Sequence, residues 1–329
     1  MRALVLQTAD SGLVYTESYP NPSALEPEQI IVNIHAAALN HRDLWITKGQ
    51  YAGLRYPIIL GSDGVGVVAA DESGLSQQRV LINPNTAWGS SERVQNKNYH
   101  ILGLPNNGTL AEQLLTTRDR LHLAPAHLSD SEAAALPLAG LTAYRALFTK
   151  ANLQKGEKIL INGIGGGVAL LAMQLALAAG AEVYVTSSDD EKLARAVQLG
   201  ATAGANYRAP KWQKTFVQQH GEMDVVIDSA GGDGFAALTD VAAAGGRIVF
   251  YGGGNGNINN LNPQKIFWKQ LSIFGSTMGS DAEFAAMLHF VAQHKIIPII
   301  DSIFDLQDAK AAFERMNSGA QFGKIIVKM

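Results

Sequence analysis

A turn of small residues between an apolar strand and an apolar helix carries the clearest chemistry in this sequence. Residues 158–169 read KILINGIGGGVA, and the apolar helix that follows ends at Gly180. Such a turn exposes backbone N–H groups, and the positive end of the helix dipole lies beside them, so both favour an anion. A buried strand, a glycine turn and a helix start in that order predict a site for the pyrophosphate of a dinucleotide.

The spacing of the small residues allows two alignments with GxGxxG. In the first, Gly163 and Gly165 fit but Val168 takes the third position; in the second, shifted along the chain, Gly166 and Ala169 follow Gly163. These positions serve a tight turn, a close approach to phosphate, and close packing of helix on strand. A glycine turn with a purely steric role is the alternative, but the second strand that follows completes a βαβ unit. The predicted dinucleotide contacts are Gly163, Gly165, Gly166, Gly167 and Val168.

The end of the second strand indicates which nicotinamide dinucleotide would fit. Sites for NAD have a carboxylate about 20 residues after the glycine turn, where it holds the ribose 2′-hydroxyl. Here the strand ends in Thr186, Ser187 and Ser188, whose hydroxyls leave room for a 2′-phosphate. Lys192 can reach the same phosphate. The two aspartates before Lys192 oppose this interpretation, but aspartates in a first helical turn commonly act as caps. We therefore predict NADPH rather than NADH.

Composition excludes several kinds of site. The 329 residues are 47% hydrophobic and 17% charged, with a formal net charge of −3, so nucleic acid and acidic membrane surfaces are poor partners. The chain has no cysteine, which excludes disulfides, thiolate zinc sites, iron–sulfur clusters and a cysteine nucleophile. No apolar run reaches the length of a membrane span, and the first residues do not resemble a signal peptide, so we expect a cytoplasmic protein.

Two kinds of segment make up the chain that must position the glycine turn and the strand end described above. The first 120 residues contain short β-like runs between Gly, Pro, Asn and Asp. The strands predicted there are 4–6, 30–34, 64–69, 79–82 and 111–115. From a capping box at Ser129, alanine-rich helices alternate with β-branched strands, which predicts a doubly wound parallel α/β sheet. The strands predicted in this sheet are 158–162, 182–186, 203–206, 224–228, 246–251 and 271–275.

The segment after Gly275 is short for a domain of its own. It contains a predicted helix 281–294, a strand 296–300, a helix near 307–316 and a last strand 323–328. We expect it to return to the β-rich part of the chain. The predicted domains are therefore a dinucleotide-binding domain of residues 129–275, inserted in a catalytic domain of residues 1–128 and 276–329.

The order of motifs resembles that of the medium-chain dehydrogenase/reductase superfamily, in its zinc-free branch of quinone-oxidoreductase-like proteins. The motifs are ALNHRD at 38–43, GSDGVG at 61–66, GTLAE at 108–112, LAGLTAY at 138–144, the glycine turn, DSAG at 228–231 and FGS at 274–276. The resemblance covers essentially the whole chain. It implies a Rossmann sheet inserted in a β-rich, GroES-like catalytic domain.

Zinc-containing members of this superfamily differ from the chain at their metal ligands. They carry a cysteine close to the position of His41, a histidine at that of Ser62, and four cysteines in a lobe that corresponds to residues 83–103. None of these ligands is present. An improvised site of His41, Asp43 and Asp63 is the alternative, but such scattered side chains are usually hydrogen-bonded. We expect no metal.

Without a metal to polarise a carbonyl, hydride transfer suits an acceptor that is already electrophilic, such as a quinone or an enone. The resemblance implies that four catalytic residues line the substrate pocket: Asn40, Asp43, Tyr51 and Asp63. Asn40 could instead satisfy backbone groups of a turn, and Asp43 could pair with Arg42 or Arg55. Tyr51 lies in a glycine-flanked loop, either as a surface anchor or as the donor of a proton or hydrogen bond to a developing enolate.

The resemblance also implies further cofactor contacts. Thr142, in a segment expected to open the helix that enters the dinucleotide domain, would lie against the nicotinamide. Gly252 and Gly253, after the fifth strand of the sheet, would line the same side of the crevice. Tyr207, after the third strand, would be a further contact to the 2′-phosphate.

Three functions compete at this level. The leading one is an NADPH-dependent reductase of quinones or α,β-unsaturated carbonyls. The second is an enoyl-thioester (acyl-CoA) reductase, which needs a basic patch that the sequence does not concentrate. The third is a redox sensor that binds NADPH without turnover. In each case the strand 271–275 lies where relatives join two sheets edge to edge, so we expect a homodimer.

Overall fold

The structure is a computed structural model that describes residues 1–9, 12–23, 26, 28–69 and 74–329. The chain divides into two compact units: residues 1–139 with 280–329, and residues 140–279. Both divisions lie beyond the predicted boundaries at 128/129 and 275/276. The first lies further along the chain because the helix that follows Ser129 packs on strands of the first unit. That the second unit binds a dinucleotide, and the first a substrate, stays a prediction.

The described residues form the following elements. The strands are β1 (Ala3–Leu6), β2 (Leu13–Thr16), β3 (Gln29–Ala38), β4 (Ile58–Ile59), β5 (Asp63–Val68), β6 (Arg79–Ile82), β7 (Asn85–Thr86), β8 (His100–Ile101), β9 (Gln113–Thr117), β10 (Leu121–Leu123), β11 (Lys158–Asn162), β12 (Glu182–Ser187), β13 (Ala203–Asn206), β14 (Met223–Asp228), β15 (Ala242–Phe250), β16 (Ser272–Gly275), β17 (Ile300–Asp305) and β18 (Lys324–Lys328). The helices are α1 (His41–Thr47), α2 (Asp130–Ala134), α3 (Pro137–Tyr144), α4 (Gly167–Ala178), α5 (Asp190–Gln198), α6 (Trp212–His220), α7 (Phe235–Val241), α8 (Pro263–Lys269), α9 (Asp281–His294) and α10 (Ala309–Asn317). A π-helical turn, Arg145–Lys150, continues α3.

The first unit is built around a mainly antiparallel sheet with the strand order β10-β6-β5-β3-β18-β17, in which β9 also pairs with β3. Ile326 of β18 lies opposite Ala38 of β3, so the last strand joins one of the first. The segment after residue 275 thus returns to this unit, as expected. A smaller sheet, β2-β1-β4, covers a core that includes Leu4, Leu60 and Phe313.

The second unit is one parallel sheet with the strand order β13-β12-β11-β14-β15-β16. The inner strands β11, β12 and β14 are apolar and mostly buried, as is usual where helices cover both faces of a sheet. This order is that of the dinucleotide-binding doubly wound sheet, and it confirms the predicted fold. From β11 the chain adds β12 and β13 on one side and β14 to β16 on the other, so the strand order reverses beside β11. Ligands of such sheets bind at this reversal, beyond the carboxyl ends of the strands.

Besides the short strands β2, β4, β7, β8 and β10, which were not predicted, two segments depart from the prediction. The strand expected at 296–300 lies at Ile300–Asp305 instead, because Pro298 has no N–H to donate and interrupts the apolar run that suggested a strand. Helix α1 lies in the part of the chain where no helix is predicted. No helix in the described ranges is both long and apolar enough to cross a bilayer.

Candidate functional site

Helix α1 begins with a capping arrangement that fixes two of the predicted site residues. Asn40 is the N-cap, and Asp43 Oδ2 accepts its backbone N–H at 2.8 Å. Asp43 Oδ1 accepts the N–H of Gly61 at 3.2 Å, which ties the helix start to the segment before β5. Burial raises the pKa of the Asp43 carboxyl, against the charge of Arg42 and these N–H groups. Backbone groups therefore hold Asp43, in place of the arginine pair that was one interpretation of the sequence.

A buried cluster joins Asn40 to Asp63 and Lys324. Asn40 Nδ2 donates to Asp63 Oδ2 at 3.0 Å. Lys324 Nζ donates to the same carboxylate oxygen at 2.9 Å and to Asn40 Oδ1 at 2.7 Å. The N–H of Leu138 reaches Asp63 Oδ1 at 2.7 Å, and the carbonyl of Leu39 accepts from Lys324 at 2.8 Å. Asp63 is 0% exposed and Lys324 is 4% exposed, so this is a buried ion pair whose atoms are hydrogen-bonded.

Lys324 is the member of this cluster that sequence reasoning missed. It begins β18, 284 residues after Asn40, in a strand whose other residues give no sign of chemistry. The one local signal is a lysine placed next to a buried apolar run, IIV at 325–327. Only the pairing of β18 with β3 brings this residue to the start of α1.

Ser62, at the position of a zinc-ligating histidine, and Asp63, of the improvised site, both have other partners. Ser62 donates its hydroxyl proton to the carbonyl of Leu102 at 2.8 Å and lies 2.7 Å from Arg42 Nη1, which donates to it. Asp63 is bound to the ammonium of Lys324, which would repel a cation. Among the residues that the structure describes, no three His, Asp or Glu side chains come together in a way that could hold a metal ion.

Tyr51 lies apart from this cluster, in the wall of a cavity of about 360 Å³ in the first unit. The guanidinium carbon of Arg42 is 5.1 Å from the centre of its ring, which is a cation–π distance. The hydroxyl of Tyr51 makes no hydrogen bond with a described residue. Of the four predicted catalytic residues, the structure thus brings Asn40, Asp43 and Asp63 together and leaves the phenol available to a ligand.

The glycine turn lies at the carboxyl end of β11 in the second unit. Gly163 and Gly165 have φ angles of +79° and +129°, which favour glycine. Gly166 is the N-cap of α4, and a Cβ built on it would meet nothing within 4 Å. Helix α4 begins at Gly167 and Val168, so its first N–H groups lie behind a residue with no side chain. The turn leaves room for a phosphate in front of N–H donors, and it fits the predicted pyrophosphate.

Three polar side chains, of which Thr186 and Asp228 are buried and Asn162 is half-buried, hold this turn from within the sheet. Thr186 donates to Asn162 Oδ1, and Asn162 Nδ2 donates to Asp228 Oδ1 at 2.7 Å. The N–H of Gly163 donates to Thr186 Oγ1 at 3.2 Å, and that of Gly231 donates to Asp228 Oδ2 at 2.7 Å. The carboxyl ends of three neighbouring strands are therefore joined. The hydroxyl of Thr186 serves the turn and not a 2′-phosphate, which corrects the prediction for that residue.

The predicted 2′-phosphate contacts follow β12 and β13. Ser187 ends β12, Ser188 comes next, and the N–H of Tyr207 donates to the carbonyl of Ser187 at 3.0 Å. Asp189 is the N-cap of α5, and its carboxylate accepts the N–H of Lys192 at 3.3 Å and that of the preceding residue at 2.9 Å. Its interpretation as a cap is therefore confirmed, and its charge is directed at the helix start.

The predicted nicotinamide contacts lie on α3 and after β15. Thr142 is buried in α3, which begins at Pro137, earlier than the sequence motif suggested. A Cβ on Gly252 would lie 2.2 Å from the carbonyl oxygen of Ser229, so only glycine fits there. A Cβ on Gly253 would meet nothing within 4 Å. Both glycines lie at the carboxyl edge of the sheet, as do the glycine turn and Ser187.

Two family models match the chain. The alcohol dehydrogenase GroES-like domain matches residues 26–126, and the zinc-binding dehydrogenase model matches residues 167–293. A solved structure described as an NAD-dependent alcohol dehydrogenase has a TM-score of 0.93 and 34% identity, with all of both chains covered.

Curated relatives cover nearly the whole chain. The chain is 35% identical to the zinc-type alcohol dehydrogenase-like protein YogA of Leptosphaeria maculans, over 92% of this chain and 91% of that one. It is 28% identical to quinone oxidoreductase-like protein 2 of Bos taurus, over 100% and 92%. It is 27% identical to acryloyl-coenzyme A reductase of Sulfurisphaera tokodaii, over 100% of both.

Proposed function

Because the chain belongs to the medium-chain dehydrogenase/reductase superfamily, we propose that it transfers a hydride from NADPH to a quinone or an α,β-unsaturated carbonyl, without zinc. The names of the relatives agree with such acceptors, since one is quinone oxidoreductase-like and another acts on acryloyl-coenzyme A, an α,β-unsaturated thioester. The observation that carries the proposal is the buried ion pair between Lys324 and Asp63.

This ion pair bears on the chemistry because Asp63 follows Ser62, the position at which the resemblance places a zinc-ligating histidine in zinc-containing members. An ammonium hydrogen-bonded to Asp63 and Asn40 supplies the positive charge there, and Ser62 has its own partners. Zinc does not fit this set of residues, so a carbonyl would not be polarised by a Lewis acid. An acceptor that is already electrophilic needs less help, since position and a few hydrogen bonds suffice.

The cofactor would be held at the carboxyl edge of the second unit. In this proposal the N–H groups at Gly166 and Gly167 would bind the pyrophosphate, and Ser187, Ser188 and Lys192 would bind the 2′-phosphate. When bound, the reduced nicotinamide supplies the hydride that adds to the electrophilic carbon, while a proton completes the reduced product. A similar solved structure is described as NAD-dependent; our choice of NADPH rests on this chain's own residues, because the carboxylate of Asp189 is used as a helix cap.

The substrate residues have distinct roles in this proposal. The phenol of Tyr51 is free to donate a hydrogen bond to the carbonyl oxygen as negative charge develops on it. The amide of Asn40 is oriented by Lys324 and Asp63. Asp43 and Asp63 are fully buried and bonded, so they act as positioning residues.

The test is the loss of NADPH absorbance with a panel of quinones, enones and enoyl-CoA thioesters. We expect Tyr51→Phe to lower kcat by about 10- to 100-fold with unchanged NADPH binding. Tyr15→Phe, a partly buried tyrosine of the same unit, is the matched control. Tight NADPH binding without oxidation by any acceptor would contradict the proposal and favour the redox sensor.

The second candidate function is that of an enoyl-thioester reductase. The similarity of the chain to acryloyl-coenzyme A reductase favours this function. The same panel separates the two functions. A preference for acryloyl-CoA of two orders of magnitude or more over every quinone and simple enone would select the thioester.

A further inference from the structure

The cavity beside Tyr51 has an unusual charge distribution. Two arginines, Arg42 and Arg55, contribute to its wall, together with Tyr51, Tyr99 and Leu104, and none of the described residues that line it is acidic. At about 360 Å³ it has the size of a site for a small organic ligand. Its aromatic and apolar side chains could contact a carbon skeleton, while its charge favours an anion.

Arg42 brings a buried positive charge to this wall. It is 9% exposed, and it donates to neutral acceptors: the hydroxyl of Ser62 at 2.7 Å and the carbonyls of Leu102 and Ile101 at 2.8 and 3.4 Å. Its Nε is buried without a hydrogen-bond partner. No carboxylate of a described residue forms an ion pair with it, and its neighbour Asp43 is bound to backbone groups. A buried charge bonded only to neutral acceptors is costly unless an anion lies near it.

Arg55 adds a second charge at the same cavity. It is exposed, and it makes no hydrogen bond or ion pair with any residue that the structure describes. The other polar groups of the wall do not neutralise these charges. The ring nitrogens of His100 lie 3.2 Å from the carbonyl oxygen of Asn98 and 3.3 Å from the side-chain amide of Asn106, so the imidazole is bonded to neutral groups. The hydroxyl of Tyr99 donates to Asn85.

We propose that this cavity binds an anionic oxygen group of the substrate, a carboxylate or a phosphate, so that acidic α,β-unsaturated carbonyls are preferred to neutral ones. The inference rests on the proposed function, because Tyr51 both lines the cavity and is the proposed hydrogen-bond donor to the carbonyl. The guanidinium of Arg42 lies 5.1 Å from the ring of Tyr51. A substrate bound to this phenol through its carbonyl would therefore place its other end within reach of the arginines.

The experiment compares (E)-4-oxopent-2-enoate with its methyl ester, as acceptors with NADPH. Arg55→Gln removes one charge at the surface, where the fold tolerates it, and Arg118→Gln removes an exposed arginine of the same unit outside the cavity. We expect Arg55→Gln to lower the acid-to-ester ratio of kcat/KM by about 10-fold, since a charge-assisted hydrogen bond is lost. Comparing this ratio between the variant and the wild-type protein cancels the different intrinsic reactivities of the two compounds. Arg118→Gln should leave it unchanged.

A second pair of compounds separates the two sources of the anion. Acryloyl-CoA carries phosphates, and acryloyl-N-acetylcysteamine is the same thioester without them. A loss in Arg55→Gln that is confined to acryloyl-CoA assigns the cavity to a phosphate, and one confined to the keto acid assigns it to a carboxylate. Equal effects on the charged and neutral member of both pairs would overturn the inference.

Failure of the proposed function gives a different result. The wild-type protein would then reduce neither the neutral ester nor a neutral quinone. In that case calorimetric titration with 4-oxopent-2-enoate tests the cavity by itself. Binding that weakens about 10-fold in Arg55→Gln supports the anion site, and absence of binding to the wild-type protein overturns it.

Discussion

Lys324 Nζ lies 2.9 Å from Asp63 Oδ2 in the interior of the first unit, although 261 residues separate the two in the chain. Removing two charges from water is costly, and their attraction offsets that cost only when the remaining polar atoms are satisfied. Here Asn40, Leu39 and the N–H of Leu138 satisfy them. The pair is therefore stabilising only while it is complete.

We expect Lys324→Met to lower the free energy of unfolding by about 3–5 kcal/mol, because it leaves Asp63 buried without its counter-charge. Lys328→Met, which changes an exposed lysine of the same strand, is the control. The double variant Lys324→Met/Asp63→Asn should recover part of the loss. Urea denaturation measures the free energy of unfolding of all three variants. Equal losses in Lys324→Met and Lys328→Met would refute this account.

Lys192→Ala should weaken NADPH binding by about 10-fold or more and leave NADH binding nearly unchanged, because only NADPH carries the 2′-phosphate. Lys155→Ala is the matched control, since Lys155 is exposed and packs beside Gly180, before the amino end of β12. Fluorescence titration gives both dissociation constants. Comparable affinity for both cofactors in the wild-type protein would count against NADPH specificity.

Two glycine substitutions should separate binding from stability. Gly166→Ala puts a methyl group into open space at a φ of −76°, so we expect stability to change by no more than about 0.5 kcal/mol. The same methyl would stand where a phosphate approaches, and dinucleotide affinity should fall about 10-fold or more. Gly252→Ala should lower stability by about 1–3 kcal/mol, because its Cβ would clash with Ser229. Thermal unfolding with and without NADPH distinguishes the two patterns.

The last strands of the first unit contain a pH-dependent contact. Burial alone would raise the pKa of the Asp301 carboxyl, but hydrogen bonds from Arg315 and the N–H of Phe322 outweigh it and place the pKa below its usual 3.8. The contribution of the ionised Asp301 carboxylate to the free energy of unfolding is fully present above the pKa of the unfolded state. It is lost as the pH falls through the pKa of the folded state. Asp301→Asn should cost about 2 kcal/mol at pH 7 and little at the acid limit.

Asp305→Asn, at an exposed position on the same strand, is the control for that measurement. Its effect should be small at every pH. A difference between wild-type protein and Asp301→Asn that stays constant from pH 7 to pH 3 would show that the carboxylate's charge is not what stabilises this contact.

The edge of the parallel sheet carries the prediction of a homodimer. Strand β16 is the last in the sheet order, and Trp268 in the preceding helix α8 is 81% exposed. We expect light scattering to give a dimer at micromolar concentration and Trp268→Glu to weaken it, because an apolar contact is lost. Val94→Glu, at an exposed valine of the first unit, should have no effect. A monomeric wild-type protein would contradict this expectation.

The parts of the fold that could be predicted are those whose signals are local. Strands β11 and β13 lie at the predicted residues, because glycine and polar residues bound them. Helix α1 was not predicted, since its capping pair is Asn40 with Asp43, in place of the commoner serine or threonine with glutamate. Its sequence HRDLWIT also gives only one short apolar face.

The candidate site was predicted less completely, because its contacts are distant in sequence. A motif can indicate Asn40 and Asp63, but the residue that binds both comes from the last strand, and strand pairing alone brings it there. A contact between neighbouring strands also decides the direction of Thr186, whose hydroxyl was expected to face the cofactor. Its direction is decided by Asn162 on the neighbouring strand.

The position of Lys324 in β18 also sets an order of events on the ribosome. Asp63 leaves the ribosome 261 residues before its ammonium partner, an interval of roughly 13 to 50 s at about 5–20 residues per second. The second unit is one continuous segment and has all its strands once residue 279 has emerged. The nascent chain can thus complete the second unit first, while the first unit has to wait for its closing strand.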